Sequence, residues 1–223
     1  MGGLSGKRCV VTDAGDFMGP AVVGLFGEEG AEVVADARDL TRPEAAAGLI
    51  REAGRVDVLV ANLSVPLPGA LAHETTDEQW HGVFDRLVHP LHRLCRAVLP
   101  QMIERRSGKI VVVGSASALR ASPARTAYGA ARGAQHAYVR QLGFEVARHN
   151  VQVNATGQSF VENPTYFPPD YTGTPELRRR LEEVPAGRLA TGREAALFVL
   201  FLASDESDFF VGQIFPFTGG WVT

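Results

Sequence analysis

The chain has 223 residues, enough for one α/β domain with a full core, and 45% hydrophobic with 21% charged residues argues against disorder. A net charge of −3, with no basic cluster interleaved with aromatics, excludes a nucleic-acid partner from the expectations. No apolar run reaches about 18 residues and no basic segment followed by a hydrophobic stretch opens the chain, so no membrane partner and a cytoplasmic, soluble protein are expected.

The elements alternate. Lys7 to Thr12 reads as a strand and Gly19 to Glu29 as a helix, with Glu32 to Asp36 the second strand. Thr41-Arg42-Pro43-Glu44 has the form of a capping box with an early proline and predicts a helix to about Glu52. Val56 to Ala61 is a strand. Thr76-Asp77-Glu78-Gln79 is a second capping box, opening a long helix with Trp80, Val83, Phe84, Leu87, Val88, Leu91, Leu94, Val98 and Met102 at helical spacing; Pro90 should bend it. Lys109 to Gly114 (strand), Ala124 to His149 (helix) and Val151 to Ala155 (strand) follow. After an irregular segment from Gly157 to Thr174 come helices over Pro175–Glu183 and Arg193–Ala203 and a last strand over Gln213–Phe217. Arg178-Arg179-Arg180 reads as the solvated face of a helix.

Strands separated by helices mean a parallel sheet with helices on both faces. No linker or repeat divides the chain, so residues 1–223 are expected to form a single Rossmann-like, doubly wound α/β domain. The interval between Asp36 and Val56 has room for one helix and no further strand, which predicts a sheet of about six strands. Cys9 and Cys95 are isolated and apolar-flanked, and read as reduced core residues. Asn62 and Asn154 head glycosylation sequons that carry little weight without a secretion signal.

The turn after the first strand departs from what such a fold needs. A dinucleotide-binding turn uses glycine so that backbone can approach a pyrophosphate. Asp13 stands where the first fingerprint glycine is expected and Phe17 where the second is. The carboxylate repels a pyrophosphate and the phenyl fills the room a cofactor would need, so no cofactor is expected.

Ligands of such folds bind beyond the carboxyl ends of the strands. Ser115 follows one strand end, and Tyr128 and Arg132 lie four apart on one helix face. Tyrosine, with a pKa of about 10, is a poor neutral-pH base unless a fixed cation lowers that value. The three side chains suit removal of a proton from an alcohol. By residue type alone they fit packing as readily as catalysis. Gly114-Ser115-Ala116-Ser117 is no nucleophile elbow, and His73, His81, His89 and His92 lack carboxylate spacing, so neither a serine hydrolase nor a metal site is expected. Tyr166, Phe167, Pro168 and Tyr171 fit loop packing and pocket lining equally well.

Ser115, Tyr128 and Arg132 in this strand order resemble the short-chain dehydrogenase/reductase superfamily, with Tyr128-Gly-Ala-Ala-Arg132 in place of its usual Tyr-x-x-x-Lys. With Phe17 in the turn, the pattern resembles the halohydrin dehalogenases, relatives that have lost the nicotinamide. Glu162 to Pro168 and the ending Phe217-Thr218-Gly219-Gly220-Trp221 share the similarity. The resemblance implies a lyase. Tyr128 would take the hydroxyl proton of a vicinal haloalcohol, Ser115 would hold the same oxygen, and the alkoxide would expel halide to give an epoxide. Epoxide opening by small anions such as azide or cyanide would be the reverse. It also implies a halide site at Phe17, Gln158, Ser159, Phe160 and Val161, and a homotetramer paired through the two long central helices.

The sequence departs from the family at Gly157-Gln158-Ser159, where Gly-Pro-Asn is usual, and at Asn62-Leu63, where Asn-Asp is usual. The third departure is the shortened strand-helix region. A nicotinamide-dependent short-chain oxidoreductase with an altered turn and an inert, superfamily-derived binding subunit are the competing readings. The first would be marked by a tight glycine turn and an active-site lysine, and the second is opposed by the intact Ser115, Tyr128 and Arg132.

Overall fold

Among the described residues the alternation is realised as six strands and seven helices: β1 (Arg8–Val11), α1 (Gly19–Glu28), β2 (Glu32–Ala35), α2 (Ala45–Ala53), β3 (Val58–Asn62), α3 (Asp77–Leu87), α4 (His89–Arg105), β4 (Gly108–Val113), α5 (Thr126–Val146), β5 (Val151–Gln158), α6 (Pro175–Leu181), α7 (Gly192–Ala203) and β6 (Ile214–Phe217). These come from a computed structural model, which describes residues 3–65 and 69–223. The sheet is wholly parallel in the order β2-β1-β3-β4-β5-β6, so the expected six strands and doubly wound class are found.

Both faces of the sheet are covered, and the strand period of two shows it. Val10, Leu59, Ala61, Ile110 and Val112 pack with α2, α4 and α5. Their neighbours Cys9, Val11, Val58, Val60, Val111 and Val113 pack with α1 and α7 on the other side. Both cysteines are free and buried. A third, smaller core of Phe160, Phe167, Leu177, Val184 and Leu189 lies beneath the loop after β5 and α6. The chain order reverses between β1 and β3, which puts the ligand crevice of such a sheet at their carboxyl ends. Among the described residues, no helix is long and apolar enough to cross a membrane.

Three local expectations are corrected. The long helix predicted after Thr76 is two, α3 and α4, divided at Val88, because Pro90, in the first turn of α4, has no N–H to bond the carbonyl one turn back and its ring crowds that carbonyl. Thr76 does form its capping box, with Gln79 N–H donating to its hydroxyl at 3.2 Å and Thr76 N–H to Gln79 Oε1 at 3.0 Å. The Thr41 box does not form. Asp39 takes both the Thr41 hydroxyl, at 2.6 Å, and its N–H, at 3.0 Å, and α2 starts only at Ala45. Finally, β5 runs on to Gln158 because Gly157 and Gln158 pair with Pro216 and Phe217. The sequon asparagines Asn62 and Asn154 are both buried, out of reach of a glycosyl carrier.

Candidate active site

The glycine-poor turn is built around Asn62 at the end of β3. Its Nδ2 donates to the carbonyls of Thr12 (3.2 Å), Asp13 (3.1 Å) and Asp16 (3.0 Å), and its Oδ1 accepts from Met18 N–H at 3.2 Å. Asp13 and Phe17 take positive φ, 44° and 48°, where glycine is the ordinary choice. Gly19 survives because a Cβ there would lie 2.3 Å from the Asp13 carbonyl oxygen. Asp13 accepts from Ser64 N–H at 3.1 Å. Burial lifts its pKa above the ordinary value, against the Ser64 bond and with help from nearby Asp16.

The turn is bolted to a segment far along the chain. Phe17 N–H donates to Thr165 Oγ1 at 2.8 Å, and the Thr165 hydroxyl donates to Asp16 Oδ1. Tyr166 packs edge-on against Phe17, ring centroids 5.2 Å apart, and its hydroxyl accepts from Val65 N–H at 3.0 Å. The nicotinamide dinucleotide that this type of sheet implies does not fit these residues. Its path over the turn meets Asp13 and Asp16, and the Phe17–Tyr166 pair closes the crevice.

Arg132 projects from α5 and is fully buried. Its Nε donates to Tyr128 Oη at 3.1 Å, its Nη1 to Val113 O (3.1 Å) and Gln135 Oε1 (2.9 Å), and its Nη2 to Leu63 O (3.0 Å). No carboxylate is among these partners. The guanidinium also lies 5.7 Å from the Phe17 ring centroid and 5.1 Å from that of Tyr128. Burial opposes ionisation of Tyr128. The Arg132 charge, with hydrogen bonding from Ser115, Arg132 and Tyr166, outweighs it and holds the phenol below its usual pKa. Tyr166 shifts the other way, raised by burial and by the negative charge Tyr128 would carry. Ser115 Oγ accepts Ser117 N–H at 3.2 Å, which leaves its own O–H to donate outward.

Ser115 and Tyr128 line a cavity of about 220 Å³ together with Phe17, Gln158, Ser159, Phe160 and Val161. All eight residues singled out from sequence thus converge: seven on the cavity wall, and Arg132 directly behind Tyr128. Phe160 has φ 56°, which turns the loop; among the described residues, its N–H and that of Val161 find no acceptor. Asn163 braces this loop, donating to Val161 O at 2.7 Å and accepting from the N–H groups of Thr165 and Tyr166. Tyr166 and Phe167 both line the cavity and pack into the small third core, and Tyr171 packs there without lining it. Among the described residues no cluster of histidine, cysteine and carboxylate groups could hold a metal.

Sequence reasoning missed Arg180. Read as part of a solvated face, it lines the cavity instead, stacked 5.6 Å from Phe160 and 5.5 Å from Phe167. The available signal was its spacing from buried Leu177: three residues on, and therefore on the inner face of α6, unlike exposed Arg178 and Arg179. Arg125, Glu183 and Trp221 were also missed as lining residues.

A family profile described as enoyl-(acyl carrier protein) reductase matches residues 5–222. The chain is 31% identical to the 3-oxoacyl-(acyl-carrier-protein) reductase FabG of Thermotoga maritima, over 98% of this chain and 99% of that one. It is 30% identical to FabG of Vibrio harveyi, over 97% and 98%. A solved structure described as a dehalogenation enzyme superposes with a TM-score of 0.92 at 29% identity, covering 98% of this chain and 99% of that one.

Proposed function

The chain belongs to the short-chain dehydrogenase/reductase superfamily, and from that premise we propose that it is a halohydrin dehalogenase, a cofactor-independent lyase that closes vicinal haloalcohols to epoxides. One observation carries the reading. An acidified tyrosine and a serine hydroxyl share a small cavity with a loop whose N–H groups at Phe160 and Val161 have no acceptor among the described residues, while Phe17 and Tyr166 take the space a nicotinamide would need. Likeness to a structure described as a dehalogenation enzyme supports it. The names of the FabG relatives favour a second reading, an NAD(P)-dependent oxidoreductase, but the closed turn does not accommodate that chemistry.

In the proposed reaction the Tyr128 phenolate takes the substrate hydroxyl proton, and Ser115 donates to the same oxygen. The alkoxide oxygen attacks the neighbouring carbon, the carbon–halogen bond breaks, and halide leaves with its electron pair. Arg132 stays protonated throughout and stabilises the phenolate. The leaving halide is received by the loop of Gln158, Ser159, Phe160 and Val161 and by the edge of Phe17; unpaired backbone N–H groups bind an anion without a cationic side chain. Epoxide opening by small anions is the reverse. We further propose a homotetramer. The exposed apolar side chains Phe144 (86%), Leu197 (48%) and Phe209 (100%) call for cover that a partner subunit would give.

The test is halide release from a panel of bromo- and chloroalcohols with no cofactor added, alongside Tyr128→Phe. Turnover by the parent and its loss in a folded Tyr128→Phe protein are expected. No release from any haloalcohol, together with saturable NADPH binding, would replace this reading with the oxidoreductase.

A further inference from the structure

The cavity wall has an uneven charge. Two guanidinium groups, Arg125 and Arg180, and one carboxylate, Glu183, line it. Glu183 is already engaged, accepting from Arg120 and from Trp221 Nε1, each at 3.4 Å. Neither lining arginine pairs with a carboxylate among the described residues. Arg180 spends one N–H on Tyr171 Oη, at 3.2 Å, and stacks on two phenyl rings, so most of its five donors are unused. Arg125 makes no hydrogen bond through its side chain among the described residues and sits 5.9 Å from the ring of Tyr128. The Phe160 and Phe167 rings flank the Arg180 guanidinium, whose planar fork suits a planar anion.

We propose that the substrate of this site is a short haloalcohol, or the corresponding epoxide, that bears a carboxylate read by Arg180 and Arg125; this rests on the dehalogenase reading above. The cavity of about 220 Å³ admits the reacting carbons, the halogen and a few further atoms. The anionic end therefore belongs to a small hydroxy acid. Arg180 is a specificity-determining residue, and it takes no part in moving the proton or halide.

The experiment compares kcat/KM for 4-chloro-3-hydroxybutyrate with that for its methyl ester, which has the same reacting atoms and no charge. A preference of roughly tenfold or more for the acid is expected, as one charge-assisted contact allows. Arg180→Gln should lower the ratio of the two, Arg180→Gln combined with Arg125→Gln should bring it close to one, and raised salt should lower it in the parent. A ratio at or below one in the parent, or the same ratio in Arg180→Gln, overturns the proposal. The unchanged ratio is also the result to expect if Arg180 served only the halide, which both substrates release. Titration calorimetry with unreactive 3-hydroxybutyrate and its ester asks the same question without turnover. If no haloalcohol reacts yet the acid binds more tightly than the ester and loses part of that advantage in Arg180→Gln, the carboxylate site stands and the dehalogenase reading falls. Equal binding of acid and ester overturns the site.

Discussion

Replacing Arg132 by methionine removes the cation that makes Tyr128 acidic. The Nε–Oη distance is 3.1 Å, so guanidinium charge and phenolate are about 4 Å apart. At an effective dielectric near 20 such a pair is worth about 4 kcal/mol, all of it favouring the phenolate. Burial would then act on Tyr128 with only Ser115 and Tyr166 against it, and the phenol should titrate above its ordinary value. A base works only when deprotonated, so raising its pKa moves the rising limb of the pH–rate profile to higher pH. At neutral pH kcat/KM should fall by about 10²- to 10³-fold, recovering as the pH is raised. The direct assay is ultraviolet difference absorbance of tyrosinate, with Tyr128→Phe as the blank, which reads the acidity whatever the reaction. Arg132→Lys keeps the charge and should shift the titration far less. Its single ammonium cannot serve all four acceptors, so a stability loss of about 1–3 kcal/mol is expected for each group left bare. A Tyr128 titration in folded Arg132→Met that coincides with the parent's would refute the electrostatic argument.

His136 is buried, and burial first, then Arg132 and Arg140, press its pKa down to about 4; its Nε2 has no partner among the described residues. Its unfolded value is near 6.5, so the stability it confers is complete above that pH and is lost as pH falls toward 4, by about 3 kcal/mol. Thermal melts should fall across that window, with the slope reduced in His136→Leu; an equal slope would count against this account. Asn62→Ala leaves three carbonyls and the Met18 N–H without their partner, and should cost about 3–4 kcal/mol by chemical denaturation. A loss under about 1 kcal/mol would mean water replaces the amide easily. Phe17→Gly relieves a positive φ but empties a buried ring, a net loss of about 2–3 kcal/mol. It should leave NADH and NADPH without saturable binding, because Asp13 still faces the pyrophosphate path; micromolar binding would disprove that.

The strand alternation, the sheet shortened between β2 and β3, and the one-turn pairing of Tyr128 with Arg132 were legible in the chain. Each depends on a period or on near neighbours, which sequence records directly. The oddity of Phe17 was legible for a similar reason, since a phenyl in a turn that demands glycine is conspicuous. The break at Val88 and the failed box at Thr41 were decided by local competitors, Pro90 and Asp39, each two residues from the position it disturbs. The rest required the fold. Arg180 turned inward because α6 lies over Phe160 and Phe167, not because of its own run of arginines. Tyr166 and Thr165 close a turn about 150 residues before them in the chain, and Asn62 ties that turn to β3. Such contacts form only when the doubly wound topology brings the carboxyl ends of distant strands together. No local pattern encodes them, because the free energy that selects them comes from packing and from satisfying buried polar groups across the whole domain.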